Sequence, residues 1–241
     1  MNDMFLDDSL SIHDVVDGNT AYLNDYLDLY IDYLPQYARY LPAMRQRAEK
    51  RIDSQALELW HQWLVLYAGR PAAMIGFLYN RVHNLGILMD FAVAEECREL
   101  EIPGQVRFAG RLLYLAMKQL KKDAAKIGNS APLCMAAEVE HQPLVERYKE
   151  YGFIEFPVEY YEPPGTPDLV GLVPLRDIEQ VGYRRLHLGA FPVPGSDFQS
   201  MGVWVVDIIL RALLEDHYRL TENHWLLEQT LSSIQLGVAL P

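Results

Sequence analysis

Cysteine is nearly absent. The 241 residues hold two, Cys97 and Cys134, too few for a disulfide framework or a thiolate metal cluster. Cys134 lies in an apolar run and reads as a small core residue. Positive charge is also short: 21 Lys and Arg stand against 33 Asp and Glu, a net charge of −12. A surface of that sign repels a phosphate backbone, which argues against nucleic-acid binding. It suits a cationic substrate, or simply solubility. Residues 1–10 are acidic and lack the basic n-region of a signal peptide. The longest apolar run, residues 201–214, is broken by Asp207 and Arg211 and is too short and too charged to span a bilayer. A cytoplasmic location with no membrane partner is expected. His61, His83 and His141 show no metal-ligand spacing, so no metal is expected. Ser, His and Asp form no nucleophile-elbow motif, so a covalent intermediate is not indicated.

What is present is enough apolar sequence for a large domain, or a domain with an appendage: half of the residues are hydrophobic. A short strand is expected near residues 11–16. Tyr22, Leu23, Tyr26, Leu27, Tyr30 and Leu34 recur at helical spacing over 20–36, and a second helix is read over 37–52. These tyrosines either line a cleft or pack half-buried with polar tips out. Runs at 57–68 and 71–79 flank Gly69-Arg70 and predict a hairpin; 83–94 gives a third strand. After an acidic, irregular loop, 105–127 reads as a long helix with Lys118, Lys121 and Lys122 toward its C-terminal end, where the dipole favours them.

The stretch around which the rest is ordered is 133–153. Residues 133–140 form a mostly apolar run consistent with a buried strand. Pro143 suits the first turn of a helix, Leu144, Val145, Tyr148 and Tyr151 keep one face, and Gly152 stops it before Phe153. Strands over 153–161 and 168–175 follow. A strand leading into a short helix that ends Tyr148-x-x-x-Gly152-Phe153 resembles the signature of the GNAT superfamily, the acyl-CoA-dependent N-acyltransferases. The order helix, helix, three strands, helix, strand, helix, strand, strand is that superfamily's order as well. The resemblance covers roughly residues 10–176. It implies an α+β fold, a mixed, mostly antiparallel sheet flanked by helices, in a domain of residues 1–176. Residues 177–241 lie beyond the resemblance and read as a helical C-terminal extension.

The resemblance also implies a CoA pyrophosphate loop opening the long helix, where unpaired backbone N–H groups and the helix dipole favour anions. The fitting window is Gln105, Val106, Arg107, Phe108, Ala109 and Gly110, followed by Arg111. Gln105 and Gly110 match the family pattern, while Phe108 stands where a Gly is expected. Arg107 and Arg111 could add charge to phosphate contacts. Backbone groups around Phe91 to Val93 would be the oxyanion donors and pantetheine partners. The strands ahead of Gln105 and Tyr148 are expected to part, leaving a slot for the pantetheine arm.

Acetyl transfer from acetyl-CoA needs a neutral amine. At pH 7, deprotonating an alkyl amine of pKa about 10.4 costs roughly 4.6 kcal/mol, so a carboxylate base is sought. Asp90 in an apolar strand and Glu138 and Glu140 at a strand end are candidates, with Glu138 the first choice. The resemblance makes Tyr148 the group that protonates, or hydrogen-bonds, the departing thiolate. The implied activity is direct acetyl transfer to a primary amine, on a small molecule or a peptide, in a ternary complex. Two alternatives stay open: a catalytically degenerate CoA-binding or interaction module, and transfer of a longer acyl chain. The apolar helix at 201–220, followed by one at 222–234, is covered by the domain itself, by a second copy in a homodimer, or acts as a lid.

Overall fold

Alternation in Leu10-Ser11-Ile12-His13-Asp14 gives strand β1 (Leu10–Asp14), with Leu10 buried and Ser11 exposed. The computed structural model describes residues 9–51, 53, 55–102, 106–164, 182–222 and 224–234. Helix α1 (Leu23–Tyr33) buries Leu23, Tyr26, Leu27, Leu29 and Tyr30, the three-to-four spacing read from the sequence. Pro35 stops it. A 3₁₀ segment, Pro35–Tyr40, then leads into α2 (Leu41–Glu49), with Pro42 in its first turn. Strands β2 (Glu58–Tyr67) and β3 (Arg70–Asn80) are joined by Ala68 and Gly69, both left-handed (φ 48° and 75°). That pair of angles suits a two-residue hairpin turn, one residue earlier than the Gly69-Arg70 expected. Strand β4 is Leu85–Val93.

The loop that follows contains a small hairpin, β5 (Glu101–Ile102) with β6 (Val106–Arg107), before α3 (Phe108–Lys126). Gly128 at φ 80° ends α3, and the Asn129 amide closes onto the Ala124 carbonyl at 2.9 Å. Then come β7 (Cys134–Val139), α4 (Gln142–Lys149), β8 (Ile154–Glu155) and β9 (Tyr160–Glu162). The single strand expected over 153–161 is thus two pieces, parted at Pro157, which has no N–H to donate. The strand expected over 168–175 lies outside the described residues.

One strand was not anticipated. Residues 177–241 were expected to be helical, yet they contain β10 (Arg184–Pro192), ahead of α5 (Trp204–Arg211) and α6 (Trp225–Ser232). Hydrogen bonding orders the sheet β1-β2-β3-β4-β7-β10-β8, with β9 also on β10. The fold is α+β, with a mixed, mostly antiparallel sheet flanked by helices. A boundary at 176 therefore cuts through the sheet. By its contacts the chain forms two units instead, Met1–Tyr79 with Leu88–Asp123, and Asn80–Ile87 with Ala124–Pro241.

In the first unit, α1 and α2 pack on Leu64, Leu66 and Met74, while Phe108 and Leu112 of α3 pack on Val65, Ala72 and Ala73. In the second, β10 pairs antiparallel with β7 (Leu188 opposite Glu138), with β8 (Ala190 opposite Ile154) and with β9 (Arg184 opposite Glu162). Gly189 makes this possible: a Cβ there would collide with the Ile154 carbonyl oxygen and the Phe153 ring.

Candidate active site

The second unit gathers carboxylates at the ends of β7 and β9 around a guanidinium at the start of β10. Four buried residues, Cys134 to Ala137, lead along β7 to the half-buried Glu138. The Tyr160 hydroxyl donates to Glu138 Oε1, and the Tyr218 hydroxyl donates to Oε2 at 2.7 Å while lying 3.4 Å from Glu162 Oε1. Arg184 donates from Nε to Glu162 Oε2 at 2.6 Å and from Nη1 to Glu140 Oε1 at 2.7 Å. Charge is therefore divided unevenly. Glu140 and Glu162 share a guanidinium, while Glu138 receives hydrogen bonds from two phenols.

Burial, and then the nearby Glu162 charge, push the Glu138 carboxyl up to about 7; the two phenols and His217 pull the other way. Burial, together with Glu138, drives the Tyr160 and Tyr218 phenols well above their ordinary value, so both stay protonated as donors. A carboxylate in that range can take a proton near neutral pH. Of the neighbouring Tyr160 and Tyr161, it is Tyr160 whose hydroxyl meets Glu138. Strand alternation places Tyr160 and Glu162 on one face, opposite Leu186 and Arg184 of β10.

Tyr148 is held differently. It projects from α4 into an aromatic cluster, edge-on to Phe153 (5.9 Å between centroids) and Phe191 (5.5 Å). Burial pushes its phenol up, which makes it a hydrogen-bond donor rather than a ready acid. Its backbone carbonyl accepts from the Phe153 amide at 3.1 Å around Gly152, whose φ of 90° favours glycine. The signature Tyr148-x-x-x-Gly152-Phe153 is thus also a packing unit. No hydrogen bond among the described residues joins Tyr148 to Glu138.

The window expected to hold the cofactor lies in the first unit. Phe91 and Val93, on one face of β4 by alternation, pack partly buried against the cluster around Phe108. Gln105 lies outside the described residues. The helix starts at Phe108, not at Gln105, because Val106 and Arg107 are taken up in the hairpin, opposite Ile102 and Glu101. The Phe108 amide donates to the Leu100 carbonyl at 3.0 Å, and the ring is fully buried beside Tyr67. So Phe108 serves the core, and the first turn of the helix runs from Phe108 to Arg111. The Arg111 guanidinium lies over the Tyr114 ring at 5.4 Å.

Asp90 also belongs to the first unit. A Cβ on Gly76 would stand 3.1 Å from the Tyr26 hydroxyl and 3.3 Å from Asp90 Oδ2, so this glycine makes room for both. Burial first, then the Asp90 charge, raise the Tyr26 and Tyr30 phenols. The nearby Arg47 is lowered by burial and stacks 3.5 Å above the Trp60 ring. His141 is mostly exposed, 3.8 Å from Glu140. Among the described residues no group of His, Cys, Asp or Glu is arranged to hold a metal, and no helix is long and apolar enough to cross a membrane.

No protein-family model matches the chain, and no curated protein sequence matches it. Solved structures do. A nourseothricin acetyltransferase is similar at 17% identity and a TM-score of 0.37, over 56% of this chain and 66% of that one. A tandem GNAT protein from the clavulanic acid biosynthesis pathway is similar at 13% identity and a TM-score of 0.43, over 69% and 53%. An IAA acetyltransferase from Bacillus cereus is similar at 16% identity and a TM-score of 0.44, over 76% and 99%. The chain thus spans less than two thirds of the first of these and about half of the second.

Proposed function

We propose that the protein is an N-acetyltransferase that moves acetyl from acetyl-CoA to a primary amine by direct attack in a ternary complex. The observation that carries the reading is Glu138. It stands next to last on the strand ahead of the Tyr148-x-x-x-Gly152-Phe153 helix, and burial pushes its carboxyl up to about 7. In the reaction a neutral nitrogen forms a bond to the thioester carbon, the C–S bond breaks, and one proton leaves the nitrogen. Glu138 accepts that proton, and Tyr148 steadies the departing thiolate by a hydrogen bond. Acetyl-CoA supplies the activated acyl group. Its holders are the backbone of Phe91 and Val93 and the first-turn amides of Ala109, Gly110 and Arg111, with Arg107 adding charge. The acceptor is an amine on a small molecule or a peptide.

The test is calorimetric titration with acetyl-CoA, followed by thiol release across an amine panel with wild type and Glu138→Gln. Binding and turnover lost in the variant support the assignment. No binding at millimolar acetyl-CoA overturns it.

A second reading is a GNAT-like module that binds CoA, or a partner, without catalysis. The hairpin across the expected phosphate loop and the Phe108 amide spent on Leu100 favour it. Trp204, 72% exposed beside the exposed Val203, offers an apolar contact for a partner or for a second copy through the C-terminal helices. Binding without turnover across the panel would select this reading.

A further inference from the structure

The last helical segment of the chain reaches back to the carboxylate on β7. After α5 the helix widens into a π turn, Ala212–His217, whose Ala212, Leu213 and Leu214 are buried. The Tyr218 amide donates to the Leu213 carbonyl at 2.8 Å, five residues back, and the Leu220 amide to the Leu214 carbonyl at 2.8 Å. Wide turns of this kind are uncommon and concentrate at functional positions. This one presents Tyr218 to a carboxylate 80 residues earlier in the chain.

We propose that Tyr218 and Glu162 are positioning residues that act on Glu138 in opposite senses, and so set the pH range over which it accepts a proton. The proposal rests on the reading of Glu138 as the base. Among the described residues, Tyr160 and Glu162 of β9 act on Glu138, as do His217 and Tyr218 from the π turn and the residue after it. Arg184 of β10 and Glu140, just past β7, bear on it through Glu162 and each other. Their signs differ. Tyr218 donates to the carboxylate and stabilises its charged form. Glu162 carries like charge and disfavours it. Arg184 pairs with Glu162 and Glu140, so it tempers that repulsion. The Tyr218 hydroxyl, 2.7 Å from Glu138 and 3.4 Å from Glu162, holds the two carboxylates in one arrangement. Removing that oxygen leaves the like charges facing each other with one donor fewer.

The experiment is an NMR titration of ¹³C-carboxyl-labelled full-length protein, as wild type, Tyr218→Phe and Glu162→Gln, with Glu138→Gln assigning the resonance. The pH dependence of kcat/KM is measured alongside. Tyr218→Phe is expected to raise the Glu138 midpoint by about one pH unit, and Glu162→Gln to lower it by a similar amount. The acid limb of kcat/KM should move with it. An unchanged midpoint in Tyr218→Phe, or shifts of the same sign in both variants, overturns the proposal. If Tyr218→Phe does not fold, Glu162→Gln still decides, since an unmoved or raised midpoint there refutes it. The reading of Glu138 as base fails separately, by full turnover in Glu138→Gln whatever the titration shows.

Discussion

His61 Nε2 lies 2.9 Å from a carboxylate oxygen of Asp123, whose side chain is 2% exposed. The other ring nitrogen, Nδ1, meets Asp14 Oδ2 at 2.5 Å. An imidazole gripped by a carboxylate on each side is a double donor, so it is the charged form that fits. This links β1, β2 and α3 within the first unit, beneath the stacked Phe77 ring.

Stability should follow that charge. Burial by itself would lower the His61 pKa, but the bonds to Asp123 and Asp14 raise it to about 9. A folded-state pKa above the unfolded value of 6.5 means stability fully present below about pH 6.5 and lost as pH rises through about 9. Urea unfolding of wild type at pH 7 and pH 10 should show the loss. His61→Gln should be less stable at pH 7 and should lack that dependence.

The Glu138→Gln variant should lose about 10²-fold or more in kcat. The wild-type rate should rise with pH through about 7, as the carboxylate forms, and the rise should vanish in the variant. A pH–rate profile with the best amine of the panel measures both. An intact limb in the variant would move the base elsewhere, with Asp90 next in line.

Tyr148→Phe should cost about tenfold or more in kcat, with acetyl-CoA affinity little changed. The ring contacts with Phe153 and Phe191 survive the change, so thermal stability should hold. Unaltered turnover would leave Tyr148 a packing residue.

Gly189→Ala should destabilise the second unit by about 1–3 kcal/mol, because the added methyl meets the Ile154 carbonyl and the Phe153 ring. Denaturant midpoints compare the two proteins. Gly69→Ala, where no atom lies within 4 Å of a built Cβ, separates the effect: it strains only a left-handed turn.

Local pattern carried much of this fold. Helices α1 and α3 were legible in their apolar spacing, and the β7–α4–Phe153 segment in Pro143 and Gly152, because one residue and its near neighbours decide each of them. Strand β10 was not. Gly189 and Pro192 speak against a strand by propensity, and only its neighbours β7, β8 and β9 make the segment extended. Pattern alone starts α3 too early because Val106 and Arg107 fit a helix as well as a hairpin; the pairing with β5 decides between them. Within the site, Glu138 was visible as a carboxylate ending an apolar strand. Tyr218 had no local signal, since its role depends on a partner 80 positions away. The His61 pair was equally hidden, with partners 47 and 62 positions distant.

The place of β10 governs how the polypeptide matures on the ribosome. Because β10 separates β7 from β8 in the sheet, a nascent chain that has emerged only as far as α4 and β8 holds β7 with one flank bare. That flank is a template for pairing with another chain. It stays open until the nine residues of β10, Arg184–Pro192, clear the exit tunnel and slot in. Translation pauses before that point would lengthen the exposure, and chaperone demand should concentrate there.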